Sequence, residues 1–209
     1  MPPPRILKIA EIFRSIQGEG LRQGEPTIFV RLAGCDLRCS FCDTKYAWTG
    51  GKSMTAAQVL DKVRALRKRF PAEWACLTGG EPFLQDIAAL CAGLRKAGLE
   101  IQIETNGRTF RPIVSDWLTL SPKPPDYAFD STLGQMAREV KLTVSRALTL
   151  KTVRRLRGEF PAAVPILLQP ESNAAWSKAK AARLLGSAMK LGLSNIRLTC
   201  QLHKILGLR

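Results

Sequence analysis

Apolar positions along the chain alternate between two rhythms. The run TIFVRLA at 27–33 is β-rich and predicts a strand that ends at Gly34. Thr55 then reads as a helix N-cap. Gln58, three residues on, completes a capping box, and Met54 and Val59 stand where a hydrophobic staple would. Val59, Val63, Leu66 and Phe70 repeat at helical spacing, and Pro71 marks the end. A second strand is predicted over 74–78, closed by Gly79 and Gly80. Leu84, Ile87, Leu90, Cys91 and Leu94 mark a helix that stops near Gly98, and 100–104 reads as a third strand before Asn106 and Gly107. Further strands are predicted at 117–120, 138–144, 165–169 and 195–200, with helices at 146–157 and 173–191. The segment from Pro122 to Gly134 reads as a long loop, of the kind often used functionally.

This β-α alternation predicts an α/β fold with a mainly parallel sheet. Six or seven βα units are visible in the sequence, fewer than a closed eight-fold barrel needs, so a partial, open βα barrel is expected. One domain spanning 1–209 fits the length. In such folds ligands bind at the C-terminal ends of the strands. Those ends carry Cys35, Thr78 to Glu81, Glu104 to Gly107, Ser121 to Lys123 and Gln169 to Ser172.

Composition is ordinary for a globular protein, with 45% apolar and 23% charged residues, which excludes disorder and fibrous structure as the main state. The charge is not ordinary. Lysine and arginine total 32 against 17 acids, a net +15, which predicts an anionic partner. The N-terminus lacks an apolar leader pattern, and no stretch reaches the roughly 18 apolar residues that span a bilayer. A cytoplasmic protein with reduced cysteines and no membrane partner is expected.

Cys35, Cys39 and Cys42 form a CxxxCxxC pattern just beyond the first predicted strand. Clustered soft thiolates select zinc or iron–sulfur. A structural zinc site needs a fourth protein ligand. His203 is far along the chain, and Cys76, Cys91 and Cys200 read as core residues. Three thiolates leave an iron–sulfur cubane with one open iron, and an open position is what catalytic metal sites keep.

The spacing is similar to that of the radical S-adenosylmethionine superfamily, and GGEP at 79–82 resembles its second motif. Further segments resemble one family within it, the 7-carboxy-7-deazaguanine synthases. They are EIFRSIQGEG at 11–20, FVRLAGC at 29–35, FCDT at 41–44, ETNG at 104–107, SPK at 121–123, EVKL at 139–142, LQP at 168–170 and QLHKIL at 201–206. The IQGEG segment is the most diagnostic, because radical enzymes at large do not carry it.

The resemblance implies that Cys35, Cys39 and Cys42 ligate a [4Fe–4S] cluster whose open iron takes S-adenosylmethionine. It implies that Phe41, Cys42, Asp43, Gly80, Glu81, Ser121, Pro122, Lys123, Gln169, Pro170, Glu171 and Ser172 bind that cofactor, and that Thr44 is a Mg²⁺ ligand. Ile16, Gln17, Gly18, Arg31, Thr78 and the terminal carboxylate of Arg209 match the family's substrate pocket. The implied reaction contracts the ring of 6-carboxy-tetrahydropterin, expels ammonia and regenerates S-adenosylmethionine, which receives back the abstracted hydrogen. A homodimer is also implied. These roles suit the side chains: Arg31 offers a planar fork to a carboxylate, and a hydroxyl beside a carboxylate suits Mg²⁺.

Two other readings share part of this pattern. A glycyl-radical activase would share the thiols and GGEP. A basic zinc protein would use the net charge and the run KTVRRLR at 151–157, which reads as a basic helix face, to bind nucleic acid. The sequence has no second group of zinc-ligand spacing and no RNA-recognition aromatic motif, so no nucleic acid is expected. Residues 105–209 hold 17 basic and 6 acidic side chains, whereas 1–104 hold 15 and 11. The excess charge therefore lies away from most of the chemistry, which points to docking of an acidic electron donor such as flavodoxin.

Overall fold

A computed structural model describes residues 5–208. Among these residues nine strands hydrogen-bond in the order β3-β1-β2-β4-β5-β6-β7-β8-β9. They are β1 (Ile6–Ile16), β2 (Pro26–Leu32), β3 (Lys52–Thr55), β4 (Trp74–Gly79), β5 (Glu100–Thr105), β6 (Trp117–Leu120), β7 (Glu139–Val144), β8 (Ile166–Pro170) and β9 (Ile196–Leu198). β1 runs antiparallel to β2 and β3, whereas β2–β4, β4–β5, β6–β7, β7–β8 and β8–β9 pair in parallel. With β3 and β9 at its edges, the sheet is open, as the alternation predicts.

The chain forms two compact units. The first comprises, among the described residues, 5–16, 25–105 and 111–118. Its strands bury Ile28, Val30, Leu32, Ala75, Leu77, Ile101 and Ile103. Helices α1 (Ala56–Arg67) and α2 (Ala88–Lys96) bury Val59, Val63, Leu90 and Leu94. The predicted capping box is present: Thr55 Oγ1 accepts from Gln58 N at 3.2 Å while Gln58 Oε1 accepts from Thr55 N at 2.8 Å. α2 begins four residues later than the apolar periodicity suggests. A 3-10 turn at Pro82–Leu84 precedes it, held by the Glu81 carboxylate on Phe83 N at 3.0 Å.

The second unit comprises, among the described residues, 17–24, 106–110 and 119–208. β7 and β8 bury Val140, Leu142, Val144, Ile166, Leu167 and Leu168, with α4 (Leu150–Glu159) and α5 (Ala175–Lys190) supplying Val153, Leu156, Ala181 and Ala188. Two sequence expectations change here. The segment 122–134 is not wholly a loop, because α3 (Ser131–Met136) starts within it, capped by Asp130 on Thr132 N at 2.8 Å. A four-residue α6 (Leu202–Ile205) lies near the C-terminus.

The basic run of α4 is not one solvated face either. Arg157 is buried and donates to the Val164 carbonyl at 2.7 Å and the Phe160 carbonyl at 2.9 Å. Burial lowers its pKa from the usual arginine value. Cys76 and Cys91 are core residues as expected, but Cys200 is only half-buried.

Candidate functional site

In the first unit, the strand ends gather the thiol loop and GGEP. β2 ends at Leu32 and the chain passes through Gly34 into Cys35. Gly80 N donates to Leu32 O at 2.9 Å and Glu81 N to Gly34 O at 2.7 Å, so the two segments are stitched through their main chains. A Cβ on Gly80 would fall 1.9 Å from Gly34 O. The glycine is therefore required by the chain's own backbone, before any ligand is considered. The Glu81 side chain is buried and turned inward, where it accepts from Thr105 Oγ1 at 2.7 Å.

Cys35, Cys39 and Cys42 all lie on that loop, each part-exposed and none in a disulfide. The Cys35 thiol is pushed up to about 11, chiefly by burial and further by the charges of Asp36 and Glu81. Among the described residues no three His, Cys, Asp or Glu side chains are gathered as a metal-holding group. The donor set nevertheless fits an iron–sulfur cluster in its chemistry: three reduced thiols within eight residues, in a loop without strand or helix until the 3-10 turn at Lys45–Ala47. Phe41 is half-buried and Asp43 exposed. Thr44 precedes the 3-10 turn without capping it, and its hydroxyl lies 3.5 Å from Cys42 Sγ.

Arg31 sits on β2, an interior strand, with only 17% of its side chain exposed, so it is not a surface arginine on an edge. Its Nε donates to Glu11 Oε1 at 2.8 Å, and its guanidinium stands 5.7 Å from the Phe13 ring centroid. Tyr46 donates its hydroxyl to the same Glu11 oxygen at 2.5 Å. Thr78, nearly buried at the end of β4, donates to Glu104 Oε2 at 3.3 Å. Glu11 and Glu104 lie in the segments that carry the resemblance, yet sequence reasoning gave neither a role. Ile16 closes β1 opposite Pro26.

In the second unit, residues 17–24 form an arch closed by Gly24 N on Gln17 O at 2.8 Å. Gln17 is buried, and its Oε1 accepts from Glu19 N at 3.1 Å. Gly18 O accepts from Leu202 N at 2.8 Å, and the His203 ring packs against Gly18. Glu19 meets Lys141 Nζ through Oε2 and Gln201 Nε2 through Oε1, the latter at 2.7 Å. Glu139, fully buried, accepts from Leu21 N at 2.7 Å and from Thr119 Oγ1 at 2.8 Å. Sequence reasoning missed this cluster as a site. The available signal was a charged pair, Glu139 and Lys141, on alternate positions of an otherwise apolar strand.

The remaining predicted residues also fall at strand ends of the second unit. Ser121 Oγ donates to Lys141 O at 2.8 Å and accepts from Lys123 Nζ at 2.5 Å; Pro122 between them is buried. The Gln169 amide lies 2.8 Å from Thr199 Oγ1, and Pro170 ends β8. Glu171 N donates to Ser177 Oγ at 2.8 Å, and Ser172 is exposed at φ 48°. Arg209 lies outside the described residues.

Residues 29–176 match the Radical SAM superfamily. A 7-carboxy-7-deazaguanine synthase from Methanospirillum hungatei is 36% identical over 97% of this chain and 86% of its own length. One from Synechocystis is 32% identical over 96% and 93%. The crystal structure of QueE from Escherichia coli superposes with a TM-score of 0.79 at 28% identity, covering 95% of both chains. The fold and the thiol loop thus define a radical S-adenosylmethionine enzyme, a superfamily that uses a [4Fe–4S] cluster and S-adenosylmethionine. Within it, the chain belongs to the 7-carboxy-7-deazaguanine synthase family. Neither the activase nor the zinc reading is favoured by these relatives.

Proposed function

We propose that this protein contracts 6-carboxy-5,6,7,8-tetrahydropterin to 7-carboxy-7-deazaguanine with loss of ammonia, the step that leads to queuosine and other 7-deazapurines. One observation supports it most. Three segments by which the chain resembles these synthases, IQGEG, EVKL and QLHKIL, meet at a single side chain, Glu19, which contacts both Lys141 and Gln201. The cluster anchors the arch that carries Gln17 and Gly18.

When bound, the cluster and S-adenosylmethionine would supply the radical chemistry needed to break the C6–H bond of the pterin. The chain's residues bind and orient. Cys35, Cys39 and Cys42 hold the cluster. Phe41, Asp43, Gly80, Ser121, Pro122, Lys123 and the 169–172 stretch hold S-adenosylmethionine. Glu81 contributes through its main chain, because its carboxylate is engaged by Phe83 N and Thr105. Arg31, already oriented by Glu11, presents its Nη edge to the substrate carboxylate. Gln17, Gly18, Ile16 and Thr78 line the pterin's polar edge. Thr44 would offer its hydroxyl to Mg²⁺, a cation that takes oxygen ligands.

The chain acts as one functional domain, in the cytoplasm, as a homodimer, and takes its electrons from an acidic donor such as flavodoxin. No helix among the described residues is long and apolar enough to cross a membrane. Anaerobic incubation of the iron-loaded protein with the carboxy-pterin, S-adenosylmethionine, Mg²⁺ and dithionite tests the reading. 7-Carboxy-7-deazaguanine is the expected product, at a lower rate without Mg²⁺. No deazapurine from protein carrying about four irons per chain contradicts it.

A further inference from the structure

β7 places Glu139, Lys141 and Thr143 on one face and Val140, Leu142 and Val144 on the other, because side chains alternate along a strand. Two charged groups are thereby buried, and buried charges require partners. Their partners come from the 17–24 arch. Glu139 accepts from the main-chain N–H of Leu21 at 2.7 Å, and Lys141 pairs with Glu19. Two residues back along the arch thus correspond to two residues forward along β7. Gln17, two residues before Glu19 on the same arch, is buried, and its Oε1 accepts from Glu19 N at 3.1 Å.

The arch fits closely against this ladder. Gly20 has φ +76°, and a Cβ there would fall 2.3 Å from Glu139 Oε1. The Glu19–Lys141 pair is shielded, with 18% and 8% of the side chains exposed, and Gln201 Nε2 donates to the other oxygen of Glu19 at 2.7 Å. Gln201 is itself fixed by its own main chain, whose N–H donates to Asn173 Oδ1 at 3.0 Å.

We propose that Glu139 and Lys141 are positioning residues, which act through Glu19 and Leu21 to set the height and orientation of Gln17 and Gly18 against the substrate. The inference rests on the substrate role given above to Gln17 and Gly18. β7 supplies a rigid rail, the arch carries the groups that read the pterin, and the ion pair fixes the register between them. Small displacements of such groups cost roughly 10- to 100-fold in substrate use.

A double-mutant cycle in steady-state turnover tests this. Glu19→Gln and Lys141→Met are each expected to raise the KM for the carboxy-pterin at least about tenfold, with a smaller change in kcat. The double variant is expected to be no worse than the weaker single, because each removes the same pair. Lys141→Arg restores most of the KM, and Glu139→Gln shifts KM in the same direction. Iron content and thermal midpoint are read alongside. If Lys141→Met loses either, Glu19→Gln, whose side chain lies on the arch, decides the matter alone.

A KM within about twofold of wild type in Glu19→Gln overturns the proposal, as does a double variant whose loss is the product of the two singles. These outcomes differ from failure of the functional reading. In that case the unmutated, iron-loaded protein itself forms no deazapurine, and the positioning role falls with it.

Discussion

Arg31 Nε and Glu11 Oε1 stand 2.8 Å apart, on neighbouring strands and in directly opposed register. The pair explains how an arginine is kept on an interior strand. Its charge is balanced by a carboxylate that also accepts from Tyr46, and its flat face lies toward the Phe13 ring. Because Glu11 takes Nε, the Nη edge of the guanidinium is left to serve another anion, which is the geometry a substrate carboxylate requires.

Arg31→Lys is therefore expected to be a poor replacement, since an ammonium cannot serve Glu11 and a second carboxylate through one planar fork. The KM for the carboxy-pterin should rise roughly 10- to 100-fold. Glu11→Gln leaves a shielded guanidinium without its counter-charge and should cost about 2 kcal/mol in denaturant unfolding. An unchanged KM in Arg31→Lys removes the residue from the substrate pocket.

Gly80→Ala brings a methyl carbon to within 1.9 Å of Gly34 O, main chain against main chain, so no flexible side chain relieves the clash. A destabilisation of about 1–3 kcal/mol is expected. The loop that must shift is the one that leads into Cys35, so iron bound per chain after reconstitution should also fall. Stability loss with full iron loading would separate GGEP packing from the thiol loop.

Burial pushes the Cys91 thiol up to about 12, against an ordinary value of 9.0. The folded-state value is the higher one. The contribution is thus fully present below about pH 9 and is lost as pH rises toward 12, because the unfolded chain releases the proton first. The wild-type denaturation midpoint should fall more steeply above pH 9 than that of Cys91→Ala. Alkylation followed by mass spectrometry should label Cys91 only on unfolding. In the metal-free protein, labelling of Cys35 should keep accelerating until about pH 11.

Arg157 serves carbonyls of Val164, Phe160 and Pro161, where α4 turns back toward β8. Arg157→Met removes all of these donors from a buried corner and should cost roughly 2–4 kcal/mol, read from urea unfolding. Arg157→Lys, with a single nitrogen, should recover only part. The exposed Arg154 on the same helix should tolerate alanine within about 0.5 kcal/mol.

Most strands were legible from the sequence because runs such as TIFVRLA and WACLT are apolar and bounded by glycine. The Thr55–Gln58 box likewise marked a helix start by its own chemistry. Harder features were those where a local signal competes with a tertiary one. β1 carries Lys8, Glu11 and Arg14 among its apolar residues, so its strand character comes from pairing with β2 and β3. α3 is six residues long, too short for a periodic signal, and is recognisable mainly by its Asp130 cap. Arg157 reads as one more charge on a basic face because the carbonyls it serves lie beyond the helix end.

At the site, the three thiols and GGEP were visible as motifs. The arch contacts were not. Glu19 and Lys141 are 122 residues apart, and nothing local pairs them.

The central claim concerns one bond, the C6–H of a carboxy-pterin, and one measurement addresses it directly. Carboxy-pterin deuterated at C6 is turned over anaerobically by the iron-loaded protein, and the recovered S-adenosylmethionine is examined by mass spectrometry. Deuterium in S-adenosylmethionine, accumulating together with 7-carboxy-7-deazaguanine, is the predicted result. A deazapurine product with no deuterium transferred, or turnover of S-adenosylmethionine with no deazapurine, would contradict the account.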